Sequence, residues 1–330
     1  MPSPAFWRGR RVAVTGATGF VGSHLVAMLV DLGADVGVLV RDEPSPRRAS
    51  RHWFERVHVV RGRVDDTATA ERFLAGTGAQ TVVHLAAQTR PAVTAAHPVG
   101  TFESTIAGTW SVLEAARRSA QPPQVLVAGC DRAYGHQDAL PYAEDLPLQP
   151  RQPHDVATAS ADLLATSYGA CFGLPVIVCR FPTLFGPGDL RWDALIPGTV
   201  RDLLAGRPPR LSVPGNPSRD YLYVVDAAAA FFQTAEHLAA HPEVAGEALN
   251  FSVGRPVAVR ELVQMLQIAA GTSFEVEMPE VDDDDDGEHR YLSAAKARQL
   301  LGWTPGHTIE EAVILTVGWY QRELGSTGDL

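Results

Sequence analysis

The segment Thr15-Gly16-Ala17-Thr18-Gly19-Phe20-Val21-Gly22 spaces its glycines as GxxGxxG. This spacing suits phosphate binding. The first glycine permits a tight turn, the second lets backbone approach a pyrophosphate, and the third lets a helix pack close to a strand. The N–H groups at the start of that helix then face the anion. An apolar run, Arg11 to Thr15, precedes the motif and a helical pattern follows from Phe20, which is the context a dinucleotide site needs. Gly16, Thr18, Gly19, Phe20, Val21 and Gly22 are therefore candidate cofactor-binding residues. Folds of this kind place an acid at the end of the second strand to hold a ribose 2′-hydroxyl. Here that strand ends Val38-Leu39-Val40-Arg41-Asp42, with valine at the acidic position. The guanidinium of Arg41 suits a 2′-phosphate. NADP(H) is the preferred cofactor, and Asp42 leaves NAD(H) open.

Other reactive side chains point less sharply. Cys130, Cys171 and Cys179 are the three cysteines, and none forms a CxxC pair. Neither a disulfide framework nor a zinc site is indicated, and a reducing cytoplasm fits. Cys130 has no histidine beside it in sequence, so it reads as a small buried residue rather than a nucleophile. The run Asp282 to Asp286 lacks the glycine-spaced surroundings of a calcium loop and reads as a solvated loop. No metal site is expected.

The elements that must position the motif alternate regularly. Strands are expected at Arg11 to Thr15, Asp35 to Val40, Val57 to Val60, Thr81 to Ala86, Val125 to Ala128 and Val176 to Arg180. Helices are expected at Phe20 to Leu32, Asp66 to Ala75, Phe102 to Ser119 and Val156 to Phe172. Repeated strand–helix–strand units predict an α/β fold, a Rossmann-type doubly wound parallel sheet. After Gly186 the rhythm breaks and prolines and glycines cluster. Residues 1–186 are read as the NAD(P)-binding domain, with later segments such as 219–252 returning to it. Residues 187–330 are read mostly as a smaller mixed α/β substrate lobe, closing over the sheet edge where ligands of open α/β sheets bind.

Composition narrows the partners. The chain has 330 residues, 45% hydrophobic and 20% charged, enough for a substantial core. A formal net charge of −10 argues against a nucleic-acid partner. No apolar stretch reaches the roughly 18 residues that span a membrane, and Met1 to Arg11 lacks an apolar signal core. A small-molecule substrate is expected.

Further motifs carry a family resemblance over nearly the whole chain. They are His84-Leu85-Ala86-Ala87-Gln88, Ala133-Tyr134-Gly135, Pro141-Tyr142 with Glu144-Asp145, Arg180 to Gly188, Arg219 to Asp226, Lys296-Ala297 and Leu301 to Pro305. With the glycine motif, they make the sequence resemble the extended short-chain dehydrogenases, the group of sugar-nucleotide epimerases and dehydratases. The resemblance implies that Leu85, Ala86, Ala87 and Gln88 border the cofactor ribose, that Val64 lies in the adenine-contacting stretch, and that Pro182, Thr183 and Leu184 lie near the nicotinamide. It places Arg219 and Arg290 where relatives hold a nucleotide diphosphate, with an ion pair as the equal alternative. Asp131 and Tyr134 flank the site as candidate substrate contacts. Phe185 and Trp192, with Phe181, Leu190 and Leu195, are candidate pocket residues. Relatives often dimerise through the helices at Phe102 to Ser119 and Val156 to Phe172. The faces of those helices here, with Arg117 and Arg118 on one and several alanines on the other, decide no oligomeric state.

The sequence departs from the family at its chemistry. Members carry a tyrosine and, four residues on, a lysine whose charge lowers the tyrosine pKa. A serine or threonine holds the substrate oxygen, and an asparagine supports the lysine. These positions fall at His154, Thr158, Cys130 and Thr105. The family aspartate after the third strand is Arg63. The loss of the tetrad resembles the simocyclinone-type angucyclinone ketoreductases, atypical extended members lacking the tyrosine. An NADPH-dependent ketoreductase of an aromatic polyketide-like carbonyl is expected, its proton coming from substrate, water or His154. A cofactor-binding module without catalysis and a sugar-nucleotide enzyme are the alternatives.

Overall fold

The computed structural model describes residues 2–41, 53–209, 211, 217–276 and 289–327. Asp42 and the run Asp282 to Asp286 lie outside the described residues. Eleven strands occur among the described residues: β1 Arg11–Thr15, β2 Asp35–Val40, β3 His58–Arg61, β4 Thr81–His84, β5 Gln124–Cys130, β6 Val176–Phe181, β7 Thr183–Phe185, β8 Ser218–Arg219, β9 Tyr221–Tyr223, β10 Ala248–Asn250 and β11 Val257–Ala258. Seven make one sheet in the order β10-β6-β5-β4-β1-β2-β3, paired parallel throughout. Its central strands are near-continuous apolar runs, as burial on both faces demands.

Twelve α-helices accompany the sheet among the described residues. In the first half are α1 Pro4–Trp7, α2 Phe20–Asp31, α3 Thr67–Thr77, α4 Pro91–Ala96, α5 Pro98–Phe102 and α6 Gly108–Arg118. The second half adds α7 Pro153–Phe172, α8 Leu195–Leu204, α9 Val224–Ala240, α10 Val259–Ala270, α11 Ala295–Leu301 and α12 Ile309–Thr327. α2 and α9 pack together on one face, where Leu25, Val26 and Leu29 meet Phe231 and Phe232 in the larger core. α3, α6 and α7 cover the other face around Phe73, Val112, Leu113 and Ala165. The fold is thus doubly wound. A third core joins α8, α10 and α12 through Val200, Leu262, Leu266, Val313 and Tyr320. β10 returns to the main sheet. So do Ala294, Ala297 and Trp303, which enter the larger core from the C-terminal region. No described helix is long and apolar enough to cross a membrane.

Two helices differ from expectation in ways that bear on the site. The stretch expected as one helix over 102–119 is α5, then a π-helical turn at Glu103–Ala107, then α6. Such turns recur at functional sites because the extra residue re-aims a side chain. Here it bears Thr105. The helix expected from Val156 begins three residues earlier, because Pro153 is favoured at a first helical position. That puts His154 and Asp155 in its first turn.

Candidate active site

In a parallel sheet the C-terminal ends of the strands share one edge. Gly16 leaves β1 at that edge, Leu85 leaves β4, Cys130 ends β5 and Pro182 follows β6. Arg41 follows β2 there and is exposed. The glycine loop is packed tightly. A Cβ on Gly16, whose φ is +70°, would lie 2.7 Å from the Leu85 carbonyl carbon and 2.8 Å from the Ala86 nitrogen. A Cβ on Gly22 would lie 2.2 Å from the Gly16 oxygen, and one on Gly19 3.0 Å from it. Gly19 caps α2, so the backbone of Phe20 and Val21 opens the helix. A cradle that three side chains would fill, at a helix start, fits a dinucleotide pyrophosphate. Thr18, Val21, Leu85, Ala86 and Gln88 are half-buried around it, and Ala87 is exposed.

A relay of hydrogen bonds holds the β4 loop against this cradle. Thr109 Oγ1 donates to the Thr105 carbonyl at 2.6 Å, so it accepts from His84 Nε2 at 3.1 Å. His84 Nδ1 then accepts from Thr15 Oγ1 at 2.7 Å, and Thr15 Oγ1 in turn accepts the Ala86 N–H at 3.3 Å. Thr105 Oγ1 accepts the Gln88 N–H at 3.2 Å. Burial lowers the His84 pKa to about 4, so the ring is neutral and its two nitrogens keep these opposite roles. Thr105 therefore supports the cofactor-side loop. Val64 packs against Gly108, where an added Cβ would lie 2.9 Å from its Cγ1. Arg63 pairs with Asp65.

On the substrate side, Cys130 is half-buried, and burial with the neighbouring Asp131 pushes its thiol up to about 12. It stays protonated and does no acid–base work near neutrality. Thr158 Oγ1 donates to the His154 carbonyl at 3.0 Å, turning its hydroxyl back onto its own helix. His154 Nδ1 lies 3.2 Å from Asp155 Oδ1. α7 packs against the short turn Asp131–Tyr134 that follows β5, where Arg132 Nη1 lies 3.7 Å from Asp155 Oδ1 in the helix's first turn.

Three expected substrate contacts have partners within the fold. Tyr134 is fully buried; its hydroxyl accepts from Arg180 Nη1 at 2.6 Å and donates to Asn250 Oδ1 at 2.9 Å. Phe185 is core, wedged against Tyr221 and Tyr223. Asp131 is committed to a buried ion pair, 2.8 Å from Arg290 Nε. That contact takes the ion-pair alternative for Arg290. Arg219 is half-exposed, and its backbone forms an isolated parallel β-bridge with Arg290. Trp192 is half-buried, packed on Tyr320 with Arg201 over its ring. Phe181 stacks on Phe251 in the main core. The expected aromatic pocket is therefore mostly packing. Pro182 is buried, Leu184 half-buried and Thr183 exposed.

Two features escaped the sequence. The loop after β7 clasps the first turn of α2: His24 Nε2 meets the Pro187 carbonyl at 2.7 Å, and Arg191, paired with Asp189, lies 5.8 Å from the Phe20 ring. Asp220 is buried beside Asp131, and burial pushes its pKa up to about 7, with Asp131 reinforcing the rise and Ser252 opposing it. Its folded value lies above the unfolded one. Its contribution to stability is thus full below about pH 4 and fades as pH climbs to about 7, by at most about 4 kcal/mol. Asp220→Asn is expected to remove this component. Urea unfolding should show the parent gaining stability over the variant between pH 8 and pH 5, and a constant difference would refute it.

The site's kinship follows from comparison with known proteins. Residues 12–251 match the NAD dependent epimerase/dehydratase family. A dTDP-glucose 4,6-dehydratase of Streptomyces antibioticus is 31% identical over 93% of this chain and 91% of its own. An Arabidopsis thaliana trifunctional UDP-glucose 4,6-dehydratase/UDP-4-keto-6-deoxy-D-glucose 3,5-epimerase/UDP-4-keto-L-rhamnose-reductase is 27% identical over 99% of this chain, which spans 49% of that protein's length. The dTDP-glucose 4,6-dehydratase of Streptomyces venezuelae, solved with NAD bound, superposes with a TM-score of 0.84 at 27% identity, over 96% of this chain and 98% of its own. The chain belongs to the NAD dependent epimerase/dehydratase family.

Proposed function

We propose that this protein is an NADPH-dependent ketoreductase whose substrate is a secondary-metabolite ketone of the aromatic polyketide kind. The observation that carries the reading is the coexistence of an intact glycine cradle with a lost tetrad. Gly16, Gly19 and Gly22 keep the close backbone approaches a dinucleotide requires. The tyrosine and lysine positions hold His154 and Thr158. Arg41 at the end of β2 favours a 2′-phosphate. The nicotinamide, when bound, supplies the hydride. The cradle and the β4 loop orient that group, and orientation alone accounts for much of the rate enhancement in such reactions. Thr158 cannot replace the lysine charge, and the imidazole of His154 at the tyrosine position is the protein's own candidate acid, beside substrate and water. A ketone flanked by a phenol would help by holding its own oxygen in a hydrogen bond.

A sugar nucleotide is the second reading. It is favoured by the half-exposed Arg219 and by the dTDP- and UDP-sugar activities named for the relatives. The assay follows NADPH oxidation with hydroxy-ketones and quinones in the parent, His154→Ala and His154→Phe. Turnover falling about 100-fold in both variants, with NADPH affinity retained, is expected of a general acid. Turnover surviving both would assign the proton to substrate or water. No turnover with any ketone, together with thermal stabilisation by a UDP- or dTDP-sugar, would replace the first reading by the second.

A further inference from the structure

We propose that Asp155 is the positioning residue for His154, fixing the ring as its Nδ1–H tautomer and turning Nε2 toward the substrate oxygen. The inference rests on the reductase reading above. His154 and Asp155 share the first turn of α7, and His154 Nδ1 lies 3.2 Å from Asp155 Oδ1. A carboxylate only accepts hydrogen bonds, so Nδ1 carries the hydrogen. Nε2 has no protein partner among the described residues, and the two side chains are only 17% and 10% exposed. Arg132 Nη1 sits 3.7 Å from the same Asp155 oxygen and steadies the carboxylate from the β5 side. Thr158 spends its hydroxyl on the His154 carbonyl and does not compete for Asp155.

The arrangement inverts the family's charge logic. A phenol needs a neighbouring cation to release its proton near neutrality. An imidazole needs a neighbouring anion to fix its tautomer and to stabilise the imidazolium. In the forward step a hydride from the reduced nicotinamide, when bound, would form a carbon–hydrogen bond at the carbonyl carbon, leaving the nicotinamide oxidised, and the C=O π pair would move onto oxygen. The protonated ring, carrying a hydrogen on Nε2 as well as on Nδ1, gives the His154 Nε2 proton to that oxygen, and the carbonyl becomes a hydroxyl. The ring is left neutral, with Nδ1–H still on Asp155, and water returns the Nε2 proton. Asp155 touches neither substrate nor cofactor in this step. It acts only by holding the donor nitrogen in place.

The test is ¹⁵N NMR of histidine-labelled protein, in the parent, His154→Gln, Asp155→Ala and Asp155→Ser, beside steady-state kinetics. The signals missing from His154→Gln identify His154. The expected result is an Nδ1–H ring in the parent and a reversion toward Nε2–H in Asp155→Ala. Asp155→Ser, too short to reach the ring, repeats the test should the alanine variant fold poorly. With a ketone that turns over, kcat should fall roughly 10- to 100-fold while the KM for NADPH stays put. An Nε2–H ring in the parent, or a tautomer indifferent to both substitutions, overturns the proposal even if turnover is brisk. An Nδ1–H ring that depends on Asp155 in a protein inert to every ketone upholds the positioning and sinks the reductase reading instead.

Discussion

Gly16→Ala is expected to abolish useful cofactor binding and to lower stability by about 3 kcal/mol, while Gly19→Ala leaves stability nearly intact. The two glycines sit three residues apart in one loop, yet they meet different constraints. Gly16 has a φ of +70°, where an L side chain costs ~1–2 kcal/mol. Its Cβ would also press on the Leu85 carbonyl and the Ala86 nitrogen, at 2.7 and 2.8 Å. Those atoms are backbone and cannot swing aside, so overpacking adds ~1–3 kcal/mol. The loop must then part from β4, which breaks the Thr15–His84 relay that holds Leu85 to Gln88 in place. Gly19 has an ordinary extended backbone, and its Cβ would meet one oxygen at 3.0 Å. Its methyl would instead occupy the space where the pyrophosphate approaches. Thermal melts with NADPH titrations separate the two. Gly16→Ala should melt on the order of 5–10 °C lower and bind NADPH at least about 100-fold more weakly. Gly19→Ala should melt near the parent and bind about 10-fold more weakly. Parent-like binding by Gly16→Ala would mean that the cradle is not the cofactor site.

What the sequence disclosed about this site follows from the range of the interactions involved. The first, second, fourth and fifth strands were legible because a parallel sheet buried on both faces needs unbroken apolar runs, though the fourth ends two residues before the expected Ala86 and the fifth two residues beyond the expected Ala128. The glycine cradle was legible because its contacts lie within a few residues of one another. The positions assigned to the lost tetrad came from the family resemblance and the register of its flanking motifs. Their actual partners were not legible. Thr158 turns to its own helix backbone, and His154 meets Asp155, an adjacent residue that helical spacing would set apart. Asp131 meets Arg290 across 159 residues of chain, and Tyr134 meets Asn250 across 116. No local pattern announces such pairs. The two- and three-residue strands β7, β8, β9 and β11 are too short to show an alternation, so the smaller lobe was readable only as an irregular texture. The π-helical turn at Thr105 was hidden because its residues read equally well as α-helix.

Breaking the pair Asp162–Arg180 is expected to be the most destabilising change in the parallel-sheet core, and breaking both halves together much less so. Arg180, on β6, holds Asp162, on α7, through two parallel bonds of 2.7 and 2.9 Å. Their side chains are 6% and 1% exposed. The third guanidinium nitrogen donates to Tyr134, whose hydroxyl continues to Asn250 and from there to the Tyr142 carbonyl. Asp162→Ala leaves a buried guanidinium whose charge Tyr134 alone cannot balance. The cost should be about 3–5 kcal/mol. Arg180→Met leaves a buried carboxylate in the same predicament. Asp162→Leu with Arg180→Met removes both charges and fills the space with apolar volume. The double variant should therefore lie nearer the parent than either single one, with a coupling of at least about 2 kcal/mol in urea unfolding. Additive losses would show that the two charges do not depend on each other. The consequence reaches the chemistry. Asp162 lies eight residues along α7 from His154, about 12 Å on one rigid helix. The bidentate pair is what clamps that helix to β6. With the clamp lost in Asp162→Ala, the first turn of α7 can shift against β5. Activity should then fall in proportion to the loosened helix, even though no group that touches the substrate has changed.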